Sequence, residues 1–169
     1  MKILQVVGYK NSGKTTLIEK LIKEAVHQGY RVGAVKHHGH GGYPDSSDLS
    51  NDSNRHRQAG AIVSSVEGNG LLQLQVMQDE WPLQQILQIY SLFPIDVVLV
   101  EGFKKEKYPK VVMLRTVDDL TLLTTLENII AVITRTTLPE SLRIDCPIFS
   151  IKNEEQYLQW IMNYVRDAL

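Results

Sequence analysis

Residues 8–16 read Gly-Tyr-Lys-Asn-Ser-Gly-Lys-Thr-Thr, and within them Gly8, Gly13, Lys14 and Thr15 satisfy the G-x-x-x-x-G-K-[ST] spacing of a phosphate-binding loop. The physical case is direct. Gly8 and Gly13 let the backbone fold close around phosphate oxygens, and successive N–H groups, those of Asn11 and Ser12 included, then point inward as an anion nest. Lys14 would reach the β- and γ-phosphates as a point charge, the Thr15 hydroxyl would ligate Mg²⁺, and Thr16 would donate a further hydrogen bond. Three kinds of chemistry fit such a loop: hydrolysis of a nucleotide, transfer of its phosphoryl group, or simple retention.

A metal-dependent phosphate site also needs a carboxylate at the end of a neighbouring strand. The run Asp96-Val97-Val98-Leu99-Val100-Glu101 offers two. Glu101 closes the strand where metal and phosphates belong, so it is the candidate for holding Mg²⁺ or positioning a water. Gly102 would let the backbone pass close to the γ-phosphate. Asp96 opens the strand at the far end and reads as an entry residue.

Further chemistry is concentrated in the polar stretch 36–57, which carries His37, His38, His40 and His56. A stretch this long in a small domain is more often functional or mobile than plain connector. Arg55 and Arg57 suit bidentate recognition of an anionic ligand, although residues two apart on a helix point in different directions. The histidines could hold a metal, but loop histidines without cysteines make a weak metal signal. Lys10 could contact the ligand of its own chain or reach across a dimer. The lysines 104, 105 and 107 form a charged loop that could contact substrate or a partner.

The elements that must position these groups are legible in the apolar pattern. Lys2–Val7 is a nearly continuous apolar run, as in a strand covered on both faces. Leu17, Ile18, Leu21, Ile22, Ala25 and Val26 recur at helical spacing, and Gly29 suits the helix end. A strand follows at 31–35, completing the β-α-β context in which a glycine loop becomes credible. Further strands are expected at 61–66, 71–76, 96–100, 110–114, 129–134 and 147–151, with helices starting near 52, over 82–92 and over 154–169. This alternation predicts an α/β class protein, a P-loop NTPase three-layer fold whose mostly parallel sheet has helices on both faces. The pair at 61–66 and 71–76 would add an antiparallel hairpin at an edge. Ligands bind beyond the carboxyl ends of such strands, so the loops after residues 7, 35 and 100 should converge.

With 169 residues the chain suits a single domain spanning 1–169. A net charge of −1 supplies no global field for nucleic acid. No segment approaches the roughly 20 apolar residues of a membrane span, and the expected location is cytoplasmic. One cysteine, Cys146, excludes an internal disulfide and reads as a small hydrophobe.

Taken together, GYKNSGKTTL, VGAVKHHGH, NDSNRHRQAGA and DVVLVEGFKKEKYPK resemble the MobB family, accessory proteins of molybdopterin-guanine dinucleotide biosynthesis. The resemblance implies a dimeric, GTP-binding protein with weak GTPase activity and bound Mg²⁺. It implies assistance to the guanylyltransferase MobA, with the molybdopterin cofactor as bound substrate. By matching motif it places Gly8, Gly13, Lys14, Thr15 and Thr16 on phosphates and Mg²⁺, Glu101 and Gly102 in a second nucleotide motif, and Arg55, His56 and Arg57 in an Arg-His-Arg segment. The departure is at Val132-Ile133-Thr134-Arg135, where a guanine-reading protein carries an acid nearby; Asp145 and Asn153 stand as substitutes. Alternatives are a small-molecule kinase, with 36–57 as its lid, and a nickel-type metallochaperone GTPase using His37, His38 and His40.

Overall fold

The computed structural model describes residues 1–39, 51–139 and 142–167. In chain order the elements are β1 (Lys2–Gly8), α1 (Lys14–His27), β2 (Val32–Lys36), α2 (Asn51–Gln58), β3 (Val63–Gly68), β4 (Leu71–Val76), α3 (Leu83–Tyr90) and β5 (Val97–Glu101). They continue with β6 (Lys110–Leu114), a 3₁₀ turn at Val117–Leu120, α4 (Thr121–Thr125), β7 (Ile129–Thr134), β8 (Ile148–Ser150) and α5 (Glu154–Arg166). The chain divides into two compact units, one formed by 1–39 with 87–169 and the other by 40–86.

The first unit is built on a six-stranded sheet in the order β2-β5-β1-β6-β7-β8, with every pair parallel. Its central strands are apolar on both faces because helices cover both. On one face Leu4, Val6, Val97, Leu99, Val111, Met113, Ala131 and Ile133 pack under α1 and α5. Those helices present Leu17, Ile18, Leu21 and Ala25, and Tyr157, Ile161, Met162 and Val165, at three- and four-residue spacing. On the other face Val7, Val112, Leu114 and Val132 meet Leu122 of α4. Each such fully buried Val or Leu contributes about 1.5–3 kcal/mol.

Helix α1 stops as the sequence demands. Gly29 takes φ +86°, its N–H bonds to the Val26 carbonyl, and the Tyr30 N–H reaches back to Ala25. These two bonds satisfy two of the carbonyls left open by the last turn.

Among the buried polar side chains, Lys110 and Gln5 are both wholly enclosed. Lys110, wholly buried at the start of β6, donates its ammonium to the carbonyls of Glu106, Tyr108 and Glu127 at 2.8, 2.8 and 2.6 Å. Burial pushes its pKa down, and the three carbonyls replace the water it lost. Gln5, the polar exception in β1, donates to the carbonyls of Gly102 and Phe103 at 3.1 and 2.9 Å. It therefore fixes the turn that leaves β5.

In the second unit, α2 leads to a hairpin of β3 and β4 in antiparallel register from Val63↔Val76 to Gly68↔Leu71. Asn69 and Gly70 form its turn with positive φ. The expected hairpin is thus present, but as a two-stranded sheet of its own that is not hydrogen-bonded to the parallel one. Val63, Leu72 and Leu74 share one of its faces and are all exposed. Between β6 and β7 the chain forms a 3₁₀ turn at 117–120 and a short helix at 121–125. Among the described residues no helix is long and apolar enough to cross a membrane.

Candidate functional site

The loop between β1 and α1 is shaped by steric necessity. A Cβ on Gly8 would lie 2.6 Å from the Ser12 hydroxyl and 2.7 Å from the Met113 carbonyl, so only glycine fits. Asn11 and Gly13 take positive φ, and Gly13 opens the helix. No side chain caps the N-terminus of α1 and no acid stands in its first turn. Its free N–H groups and positive dipole end thus face the loop unneutralised, which is the arrangement that holds an anion.

Lys14 donates to the Tyr9 carbonyl at 2.8 Å, crossing its own loop. Burial depresses the Lys14 pKa first; Glu101 opposes that, and Lys104, Lys36 and Arg115 push it further down. Desolvation disfavours a charge of either sign, but the cations Lys36, Lys104 and Arg115 around Lys14 are a local positive field of the kind an anion takes.

The strand order β2-β5-β1 delivers the acidic partner. Glu101 pairs in register with Val6 on one side and Lys36 on the other, and it is buried. The Thr15 hydroxyl stands 2.9 Å from both Glu101 carboxylate oxygens. Lys36 donates to Thr15 Oγ1 at 3.1 Å and lies 3.3 Å from Glu101 Oε1. Thr15 and Glu101 are hard oxygen donors, the kind Mg²⁺ takes, and the Lys36 ammonium stands beside them as a cation of the structure's own. The residues therefore fit the metal that the loop motif implies. Gly102 and Phe103 follow with φ +90° and +52°, and the Phe103 ring packs 4.6 Å from that of His37.

On the opposite flank of β1 stands a group with no local sequence signal. Arg115, just past β6, grips the buried Asp119 with Nε and Nη2 at 3.0 and 2.9 Å, while its backbone N–H takes the same carboxylate at 2.8 Å. Its third nitrogen, Nη1, donates to the carbonyl of Lys10 at 2.9 Å. Tyr9 is held nearby, with the Lys104 ammonium 4.2 Å from its ring centroid and the Arg115 guanidinium at 5.6 Å. Arg135, following β7, comes within 3.3 Å of the point where Gly13 would carry a Cβ.

The structure thus gathers Gly8, Asn11, Ser12, Gly13, Lys14, Thr15, Glu101 and Gly102 at the carboxyl ends of β1 and β5, with Lys36 and His37 from β2. The exposed Thr16 lies on the first turn of α1. Arg55 and Arg57 lie on α2, in the other unit. Lys10 is exposed, and its backbone carbonyl is the part of it that Arg115 holds. Asp96 is an entry residue as read: its carboxylate binds Arg31 at the amino ends of β5 and β2, which holds it well below the usual carboxylate range. Asp145 precedes β8 and so lies at the end of the sheet away from the loop, whereas Asn153 follows β8 on the loop's side. Cys146 is half-buried against the Leu122 cluster. His40 lies outside the described residues, among which no group of three metal-ligating side chains occurs.

Comparison with known proteins places this geometry in a lineage. Residues 3–135 match the family model of molybdopterin guanine dinucleotide synthesis protein B, MobB. The chain is 47% identical over 133 residues to the probable molybdopterin-guanine dinucleotide biosynthesis adapter protein of Bacillus subtilis (strain 168), covering 79% of this chain and 76% of that one. It is 32% identical over 167 residues to the corresponding adapter protein of Haemophilus influenzae, covering 96% and 89%. The crystal structure of the MobB protein homolog from Bacillus stearothermophilus superposes with a TM-score of 0.82 at 42% identity, covering 99% of each chain.

Proposed function

This chain belongs to the MobB family, and on that premise we propose that it is a GTP-binding adapter of molybdopterin-guanine dinucleotide biosynthesis with slow intrinsic GTPase activity. In this reading it assists a MobA-like guanylyltransferase that forms the dinucleotide from molybdopterin. The observation that carries the nucleotide part is the Thr15 hydroxyl set 2.9 Å from both Glu101 oxygens beside an uncapped helix N-terminus.

The roles follow from position. The backbone N–H groups of residues 11–16 would cradle phosphate oxygens, and Lys14 would leave the Tyr9 carbonyl for the β- and γ-phosphates. Thr15 and Glu101 would hold Mg²⁺, which when bound supplies charge neutralisation between those phosphates. Glu101 would also orient an attacking water. A carboxylate shared with a metal is a weak general base, which suits slow hydrolysis and an adapter whose nucleotide state matters more than its turnover. Arg55 and Arg57 are the proposed contacts for the anionic pterin substrate. The exposed apolar face of the β3–β4 hairpin supports a homodimer, since a two-stranded sheet is marginal in water without cover; a monomeric mass in solution would contradict that part.

Equilibrium binding of fluorescent GTP in the presence of Mg²⁺ tests the reading. Unlabelled GTP should displace the probe at lower concentration than ATP, and Lys14→Ala should weaken binding by at least about a hundredfold with an unchanged circular dichroism spectrum. Equal displacement by ATP would remove guanine preference, and unaltered affinity of Lys14→Ala would remove the loop assignment.

A further inference from the structure

Lys36 is not part of the loop motif, yet its ammonium lies 3.1 Å from Thr15 Oγ1 and 3.3 Å from Glu101 Oε1, against both candidate metal ligands. The two ends of this residue behave differently. Its backbone is fixed in register with Glu101, and the next N–H, that of His37, bonds to the Glu101 carbonyl at 2.9 Å. Its side chain, by contrast, is 60% exposed, whereas that of Glu101 is 10% exposed.

We infer that Lys36 is an exchangeable cation of this site: it neutralises Glu101 in the absence of the divalent metal and serves as a ligand of the terminal phosphate when the metal nucleotide is bound. The inference rests on the nucleotide reading above. A magnesium ion about 2.1 Å from these same two oxygens would stand close to the ammonium, and the two cations repel each other. Lys36 must then yield Thr15 and Glu101, and its four-carbon stem allows this without backbone movement. It cannot go far. β2 lies beside β5, where Lys36 pairs with Glu101, so a released Lys36 stays next to the metal–phosphate group of the proposed reading. In a triphosphate that group includes the γ-phosphate, the added charge that a diphosphate lacks.

The test is Lys36→Met, which keeps the stem and removes the charge. Two ratios are read with fluorescent nucleotides. The first is the GDP dissociation constant in EDTA over that in Mg²⁺; it should rise about tenfold in the variant, because Glu101 then repels a metal-free phosphate without its counter-ion. The second is the preference for a non-hydrolysable GTP analogue over GDP in Mg²⁺, which should fall about tenfold, the worth of one charge-assisted hydrogen bond. Lys36→Arg should retain most of the second ratio. A Lys36→Met protein that keeps either ratio within about twofold of the parent overturns the proposal. If the parent protein binds ATP and ADP instead, the guanine reading fails and the same two ratios score Lys36 with adenine nucleotides. If it binds neither, both readings fall.

Discussion

On the β6 flank of β1, the buried carboxylate of Asp119 takes three bonds from one arginine at 2.8–3.0 Å, and that arginine spends its remaining nitrogen on the Lys10 carbonyl. On the β5 flank, the buried carboxylate of Glu101 is met by an exposed threonine hydroxyl and by an exposed lysine ammonium at 3.3 Å. Both carboxylates stand beside the same loop, but only the first is satisfied by partners fixed in place. The Arg115–Asp119 pair braces the outer backbone of the loop. The Glu101 group holds partners that can leave. In the proposed nucleotide reading the two flanks divide the work: the rigid side would keep the loop N–H groups aimed, and the exchangeable side would accept metal and phosphate.

The comparison can be broken at the loop itself, which both flanks share, and there the effect should be largest. Gly8→Ala forces a Cβ to within 2.6 Å of the Ser12 hydroxyl and 2.7 Å of the Met113 carbonyl. Nucleotide affinity should fall by about tenfold or more, because loop misplacement costs several aimed hydrogen bonds together. A Gly8→Ala variant that binds as its parent does would show that the loop's shape is not set by this contact.

A smaller effect belongs to the braced flank. Asp119→Asn should lower the melting temperature by about 5 °C at pH 7 and weaken nucleotide binding by no more than about fivefold, equally with and without Mg²⁺. The pH dependence follows from Asp119 having its pKa lowered, chiefly by its hydrogen bonds to Arg115. A carboxylate with a depressed folded-state pKa stabilises fully above its unfolded value, near about 3.9, and that stabilisation is lost as pH falls through the folded value. The difference in melting temperature between parent and variant should therefore be full at about pH 6 and shrink below about pH 4. A difference that grows on acidification would contradict the assignment of Asp119 as the charged partner.

What can be read in the sequence, and what cannot, divides along the same physical line. Strands 110–114 and 129–134 lie where their apolar runs put them, because a strand buried on both faces leaves a continuous signal. The glycine loop is equally plain, since its spacing is local. The contact of Lys36 with Glu101 and that of Arg115 with the Lys10 carbonyl leave no such mark, because they join residues far apart in the chain. Nothing in RTVDD shows which aspartate turns inward; the 3₁₀ turn decides it by burying Asp119 and exposing Asp118. The guanine-reading question has the same origin. Asp145 and Asn153 are close in sequence, yet β8 runs between them and places them at opposite ends of the sheet.

The claim on which the whole account depends is that Thr15 and Glu101 form one metal-responsive phosphate site, and one measurement addresses it most directly. GTP affinity is determined with and without Mg²⁺ for the parent protein and for Glu101→Gln, which keeps the shape and removes the charge. The account predicts that Mg²⁺ strengthens binding by about tenfold or more in the parent and has little effect in the variant. An equal response to Mg²⁺ in both proteins would contradict it.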